Sequence, residues 1–170
     1  MNSNGIQYRD TREVALESVL ALYRANEWSS AQTPELLHKA LSGSHSLLTA
    51  WDGTRLVGLG NAISDGYLVV YYPHLLVLPE YQGRGLGTEL MRRLMARYPG
   101  FHQHMLVADG RALDFYQKCG FERAGKTEPC GFMQGTITKA RSASPWLLGT
   151  TVFAFLLIPN EGLGSPEHKR

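Results

Sequence analysis

The chain has 170 residues, a length for one domain, and its 44% hydrophobic content can fill a sizeable core. A net charge of +2 is too small to mark a nucleic-acid binder by itself, and two cysteines make no disulfide framework. Residues 1–10 are polar, and the membrane-like run at 146–158 falls short of the ~20 residues that cross a bilayer, so a soluble, reducing, cytoplasmic setting without a membrane span is expected.

Residues 6–9 read as a short first strand. Val14, Leu16, Val19, Leu20, Leu22 and Tyr23 recur at helical spacing, which predicts a helix over 11–25, capped by Asp10 or Thr11 with Glu13 in its first turn. Thr33-Pro34-Glu35 opens a second helix that runs to about Leu41 and stops at Gly43. Strands at 46–51 and 55–63 are joined by Asp52-Gly53, a strong hairpin signal. Asp65-Gly66 turns the chain into a long strand over 67–78, which Pro73 interrupts with a bulge or a pairing gap. A helix over 88–98 and a strand over 101–107 follow. Asp109 can cap a helix over 111–118 that Gly120 ends, and 121–124 starts another strand. Alternating helices and strands with antiparallel hairpins predict an α/β (α+β) fold, a mixed and mostly antiparallel sheet flanked by helices. Residues 132–138 offer a last strand and 141–145 a linker. The apolar run 146–158 reads as an extra strand, a homodimer patch, an interfacial segment or the product of a shifted reading frame. Residues 159–170 are polar and expected to be disordered.

Between the apolar run 75–78 and the helix that follows lies Tyr81-Gln82-Gly83-Arg84-Gly85-Leu86-Gly87. A glycine turn between a strand and a helix start exposes main-chain N–H groups at a positive helix end, where phosphate binds well. The P-loop pattern fails, because Gly87 is followed by Thr88-Glu89 and no lysine. The dinucleotide fingerprint is weak, because the spacing is G-x-G-x-G and no acid stands near 101–104. Gln82, Gly85 and Gly87 match a third pattern, Gln/Arg-x-x-Gly-x-Gly/Ala. A second stretch, Leu113-Asp114-Phe115-Tyr116-Gln117-Lys118-Cys119-Gly120-Phe121, follows at the expected distance.

With these two motifs the chain resembles the GNAT superfamily of N-acetyltransferases over about 6–129. The resemblance implies one domain at 1–139, with 140–170 an atypical extension outside the catalytic core. It implies a splayed fourth strand whose edge, Leu75-Leu76-Val77, pairs with the pantetheine arm of acetyl-CoA and offers an N–H to the thioester oxygen. Gln82, Gly83, Arg84, Gly85, Leu86, Gly87 and Thr88 would then hold the pyrophosphate. Tyr116 corresponds to the family's general acid, against the plainer reading of a buried tyrosine with a satisfied hydroxyl. His74 is the candidate base, with core packing and a water relay as the alternatives.

Arg92, Arg93 and Arg97 read as a solvated helix face. His102 and His104 share a strand face without a third ligand, so no metal site is expected. The acceptor pocket implied by the resemblance would draw on Tyr23, Trp28, Tyr67, Tyr71 and Tyr72. That set is aromatic and poor in acids, which suits a small amine with an apolar or aromatic body. The other functions considered are protein lysine or N-terminal acetylation and a non-catalytic acyl-CoA-binding regulatory domain.

Overall fold

The computed structural model describes residues 5–108 and 112–126. The expected strand at 132–138, the linker and the apolar run at 146–158 lie outside the described residues, as does Asp109. Strand β1 (Ile6–Asp10) pairs antiparallel with β2 (Ser46–Asp52), and β2 with β3 (Arg55–Ser64). The hairpin turn sits one residue later than expected: Asp52 pairs with Arg55, leaving Gly53 and Thr54 in the loop.

Helix α1 (Leu16–Ala25) starts later than its apolar spacing suggests. The Thr11 hydroxyl accepts the Glu13 N–H at 3.0 Å, a local turn that competes with a helical start. Val14 is buried all the same, from the segment before the helix. Helix α2 (Pro34–Ser42) begins on its proline as expected. It ends at Gly43 without a left-handed cap, since φ there is −82°.

The long strand expected over 67–78 is two strands, β4 (Val69–Tyr71) and β5 (Leu75–Val77), both antiparallel to β3. Its start is delayed by Asp65, whose Oδ1 accepts the N–H groups of Tyr67, Leu68 and Val69. These three bonds also hold the Asp65 carboxyl below its ordinary range. The break between β4 and β5 is a bulge. Ile63 pairs with Tyr71, while Asn61 donates its N–H to the His74 carbonyl, so Tyr72 and Pro73 together stand opposite Ala62. The extra residue resets strand alternation. Tyr71 and His74, three apart, therefore point to the same face of the sheet.

Helix α3 (Leu86–Met95) packs on the opposite face through Leu86, Leu90, Met91 and Leu94. Gly58 and Gly60 of β3 make room for it. A Cβ on Gly60 would lie 2.7 Å from Leu94 Cδ1 and 2.9 Å from Leu75 Cδ1. Gly60→Val is expected to destabilise the fold by about 2 kcal/mol through overpacking, read as a lower denaturation midpoint with unchanged slope. Strand β6 (Gln103–Met105) runs parallel to β4, completing the order β1-β2-β3-β4-β6 with β5 attached to β3. Helix α4 (Leu113–Lys118) follows; residues 121–124 belong to no strand among the described residues.

Candidate active site

The site begins with the hydrogen bonds of β5. The Leu78 N–H reaches the Val57 carbonyl and the Asn61 N–H the His74 carbonyl, so in this register Leu76 exchanges its bonds with Leu59. The peptide groups of Leu75 and Val77 then point away from β3. That edge has no strand partner among the described residues, because β6 pairs with β4 and not with β5. The result is a gap between β4 and β5, edged by the N–H groups of Leu75 and Val77. Of the three residues expected to bind there, Leu76 has its main chain engaged with β3, and Leu75 and Val77 face the gap.

The gap runs into the glycine turn. Gly83 and Gly85 have φ of +72° and +84°, a conformation that suits glycine, and Gly85 caps α3. The first intrahelical bond runs from the Glu89 N–H to the Gly85 carbonyl at 3.0 Å. The N–H groups of Leu86, Gly87 and Thr88 therefore stand at the positive end of the helix. The Gln82 side chain is engaged within the fold. Its Nε2 donates to the Val77 carbonyl at 3.0 Å and to Asn26 Oδ1 at 3.3 Å, which ties the end of β5 and the turn to the end of α1. The Arg84 guanidinium lies 5.2 Å over the Tyr81 ring.

The arginines behind the turn are ion-paired. Arg92 and Arg93 both bind Glu89, and Arg97 binds Asp10. The two guanidinium groups push the Glu89 carboxyl down to about 2. This paired carboxylate stabilises the folded state fully above its ordinary value of about 4.5, and the benefit is lost as pH falls through about 2. Thermal melts of Glu89→Gln and wild type should accordingly differ at neutral pH and converge toward pH 2.

Gly87 connects the turn to α4. A Cβ there would lie 3.3 Å from the Phe115 ring, so its absence lets α4 seat against α3. The next residue, Tyr116, is partly buried between Phe115 and Phe121, with ring centroids at 5.0 and 6.1 Å. Burial first, then Cys119 and Tyr71, raise its hydroxyl above the ordinary value of 10. The phenol is thus protonated at neutral pH, as a proton donor must be. Cys119 sits by the turn beside Thr88, and burial raises its thiol.

His74 lies on the other side of the break, facing α1. Its Nδ1 is 2.6 Å from the Tyr23 hydroxyl, and Tyr23 and Trp28 meet its ring edge-on at 5.6 and 5.1 Å. Burial lowers its pKa, which leaves the imidazole neutral at pH 7. Asn61, buried, accepts the His74 N–H at 3.2 Å and donates to Ser44 at 2.8 Å. Asn61 and Asn26 carry no sequence signal; the register of β3 against β5 places Asn61, and the end of α1 places Asn26.

The aromatic residues expected at the acceptor divide. Tyr23, Trp28 and Tyr71 share the His74 face, with Trp28 and Tyr71 both 37% exposed. Tyr72 points to the α3 face, buried against Tyr98, with its hydroxyl on His104 Nδ1 at 2.8 Å. Tyr67 is exposed in the turn before β4. Ile63, Val69 and Met105 extend the Tyr71 face as exposed apolar surface. An open groove lined by Leu16, Leu20, Pro34 and Leu36 includes none of the site residues. Among the described residues, no three His, Cys, Asp or Glu side chains group to hold a metal ion, and no helix is long and apolar enough to cross a membrane.

A broken sheet strand that runs into a glycine-capped helix defines a class of acyl-CoA-binding folds, and the comparisons agree. The model of the acetyltransferase (GNAT) family matches residues 13–121. The chain belongs to the GNAT family of acetyltransferases. It is 42% identical over 72 residues to GCN5-related N-acetyltransferase 2, chloroplastic, of Arabidopsis thaliana, a match covering 40% of this chain and 27% of the relative. It is 39% identical over 72 residues to histone acetyltransferase TAP1 of Glycine max, covering 40% of this chain and 30% of the relative. These matches span less than a third of either relative's length. Among solved structures, the GNAT family acetyltransferase SP0256 of Streptococcus pneumoniae superposes with a TM-score of 0.66 at 32% identity, covering 78% of this chain and 99% of that one.

Proposed function

We propose that the chain transfers an acetyl group from acetyl-CoA directly to the primary amine of a small acceptor with an apolar or aromatic body. The observation that carries this reading is the β5 edge, without a strand partner among the described residues, leading into the glycine turn. The donors suit the co-substrate: Leu75 and Val77 N–H groups for the pantetheine amides and the thioester oxygen, and the main chain of residues 83–88 for the diphosphate. Gln82 contributes by bracing the turn. The amine nitrogen attacks the thioester carbon, the C–S bond breaks, and Tyr116 gives its hydroxyl proton to the departing thiolate. Most of the acceleration then comes from positioning two held reactants.

His74 is a polar side chain on the proposed acceptor side of the break. Whether it takes a proton or gives a hydrogen bond is set by its partner, Tyr23. The apolar face of Trp28, Tyr71, Ile63 and Met105, without an acidic side chain among these four, supports an apolar acceptor. The name of the Glycine max relative supports a second reading, acetylation of lysine in a protein. Calorimetry with acetyl-CoA followed by an amine panel scored for free thiol tests both. The proposal expects thiol release with small aromatic or alkyl amines. Release only with a lysine peptide would favour the second reading, and binding without release on any acceptor would favour a non-catalytic domain. We place the catalytic domain within 1–139, so a chain truncated after Lys139 should keep turnover; a folded truncation without turnover would refute that boundary.

A further inference from the structure

We infer that Tyr23 holds His74 in the tautomer with its hydrogen on Nε2, so that His74 serves the acceptor side as a hydrogen-bond donor and the amine loses its proton to water. This inference rests on the acetyl-transfer reading for its catalytic consequence, but the tautomer itself does not.

The argument starts from the phenol. Tyr23 is fully buried, and its hydroxyl has one hydrogen-bond partner among the described residues, His74 Nδ1 at 2.6 Å. A buried O–H group needs an acceptor. The unprotonated Nδ1 is that acceptor, and a neutral imidazole then carries its hydrogen on Nε2. The opposite tautomer would point an N–H at the phenol oxygen and leave the phenol hydrogen without an acceptor. Burial also keeps Tyr23 un-ionised, so a phenolate is not available to accept from Nδ1.

The ring has little freedom to change this arrangement. Asn61 pins the His74 main chain on both sides, accepting its N–H and donating to its carbonyl. Trp28 and Tyr23 clamp the ring edge-on at 83° and 75°. The groups that face His74 are Tyr23 from α1, Trp28 beyond it and Asn61 from β3. Tyr23 is the titratable one among them, and none is charged. Both lone-pair sites of the ring are therefore spoken for, one by the Tyr23 hydroxyl and one by hydrogen. A base there would have to break the Tyr23 contact first. The chemistry balances without it: the neutral amine attacks, its surplus proton passes to water, and the thiolate takes the Tyr116 proton, which solvent restores.

Nitrogen-15 NMR of histidine-labelled full-length protein tests the tautomer directly. The His74 signals, located by their loss in His74→Gln, should show an unprotonated Nδ1 and a protonated Nε2 from pH 6 to 8. In Tyr23→Phe, which keeps the ring and removes the hydroxyl, both tautomers should be populated. In steady-state kinetics His74→Gln, which retains an N–H donor, should keep more turnover than His74→Ala, which loses about tenfold, and both should keep the wild-type pH profile. A protonated Nδ1 in the wild-type spectrum, or a limb of the pH profile lost in both variants, would overturn the inference. Absence of thiol release from every amine would instead count against the acetyl-transfer reading and leave the NMR result standing.

Discussion

Tyr116→Phe is expected to lower kcat about 100-fold while the Kd for acetyl-CoA stays within about twofold. The substitution removes one oxygen and keeps the ring that packs between Phe115 and Phe121, so α4 should stay in place. What is lost is the proton for the thiolate. Burial has raised this phenol above its ordinary value, so it is a weaker acid than the departing thiol, whose pKa is about 8.5, and in the proposed role positioning offsets that mismatch. Water can substitute for it only poorly in a partly buried site. Rapid-quench or steady-state thiol assays measure kcat, and calorimetry measures affinity. Unchanged turnover would return Tyr116 to a packing role.

Gly85→Asp is expected to weaken acetyl-CoA about 100-fold through two separate costs. A side chain at φ +84° is strained by roughly 1–2 kcal/mol, which the free turn relieves by leaving this conformation and which binding must then restore, and a new carboxylate beside a diphosphate adds about 1 kcal/mol of repulsion. Gly85→Ala isolates the first cost and should lose about tenfold. No side chain crowds this position, since nothing lies within 4 Å of a Cβ built there. A loss of affinity would therefore report the backbone and its ligand, and the thermal midpoint should fall by no more than the strain alone requires. Equal affinity in all three proteins would mean that the diphosphate binds elsewhere.

The strands, helices and glycine turn were readable because each has a local cause: apolar spacing, a proline at the α2 start, a glycine run after an apolar strand. The errors also have local causes. Thr11 closes a small turn on Glu13 and delays α1, and Asp65 gathers three N–H groups and delays β4. Strand alternation could not fix the direction of His74, because the bulge at Tyr72 and Pro73 resets it by one residue. Only the pairing of Ile63 with Tyr71 and Asn61 with His74 reveals that reset. The same shift sends Tyr72 to the α3 face, where it packs with Tyr98 and leaves the acceptor aromatics. Gln82 matches a phosphate-turn pattern, and its side chain braces Val77 and reaches Asn26, 56 residues away, a contact that no local pattern encodes. Gly60 carries no local signal; the close approach of Leu94 from α3 is what leaves no room for a side chain there.

Amide hydrogen exchange at β5 discriminates most sharply. Leu76, whose N–H is bonded to β3, should exchange slowly with or without acetyl-CoA. Leu75 and Val77 should exchange much faster in the free protein and become protected when acetyl-CoA saturates it, because the pantetheine arm then occupies the open edge. Saturating acetyl-CoA that leaves the Leu75 and Val77 rates unchanged would contradict the proposal that the broken strand receives the co-substrate.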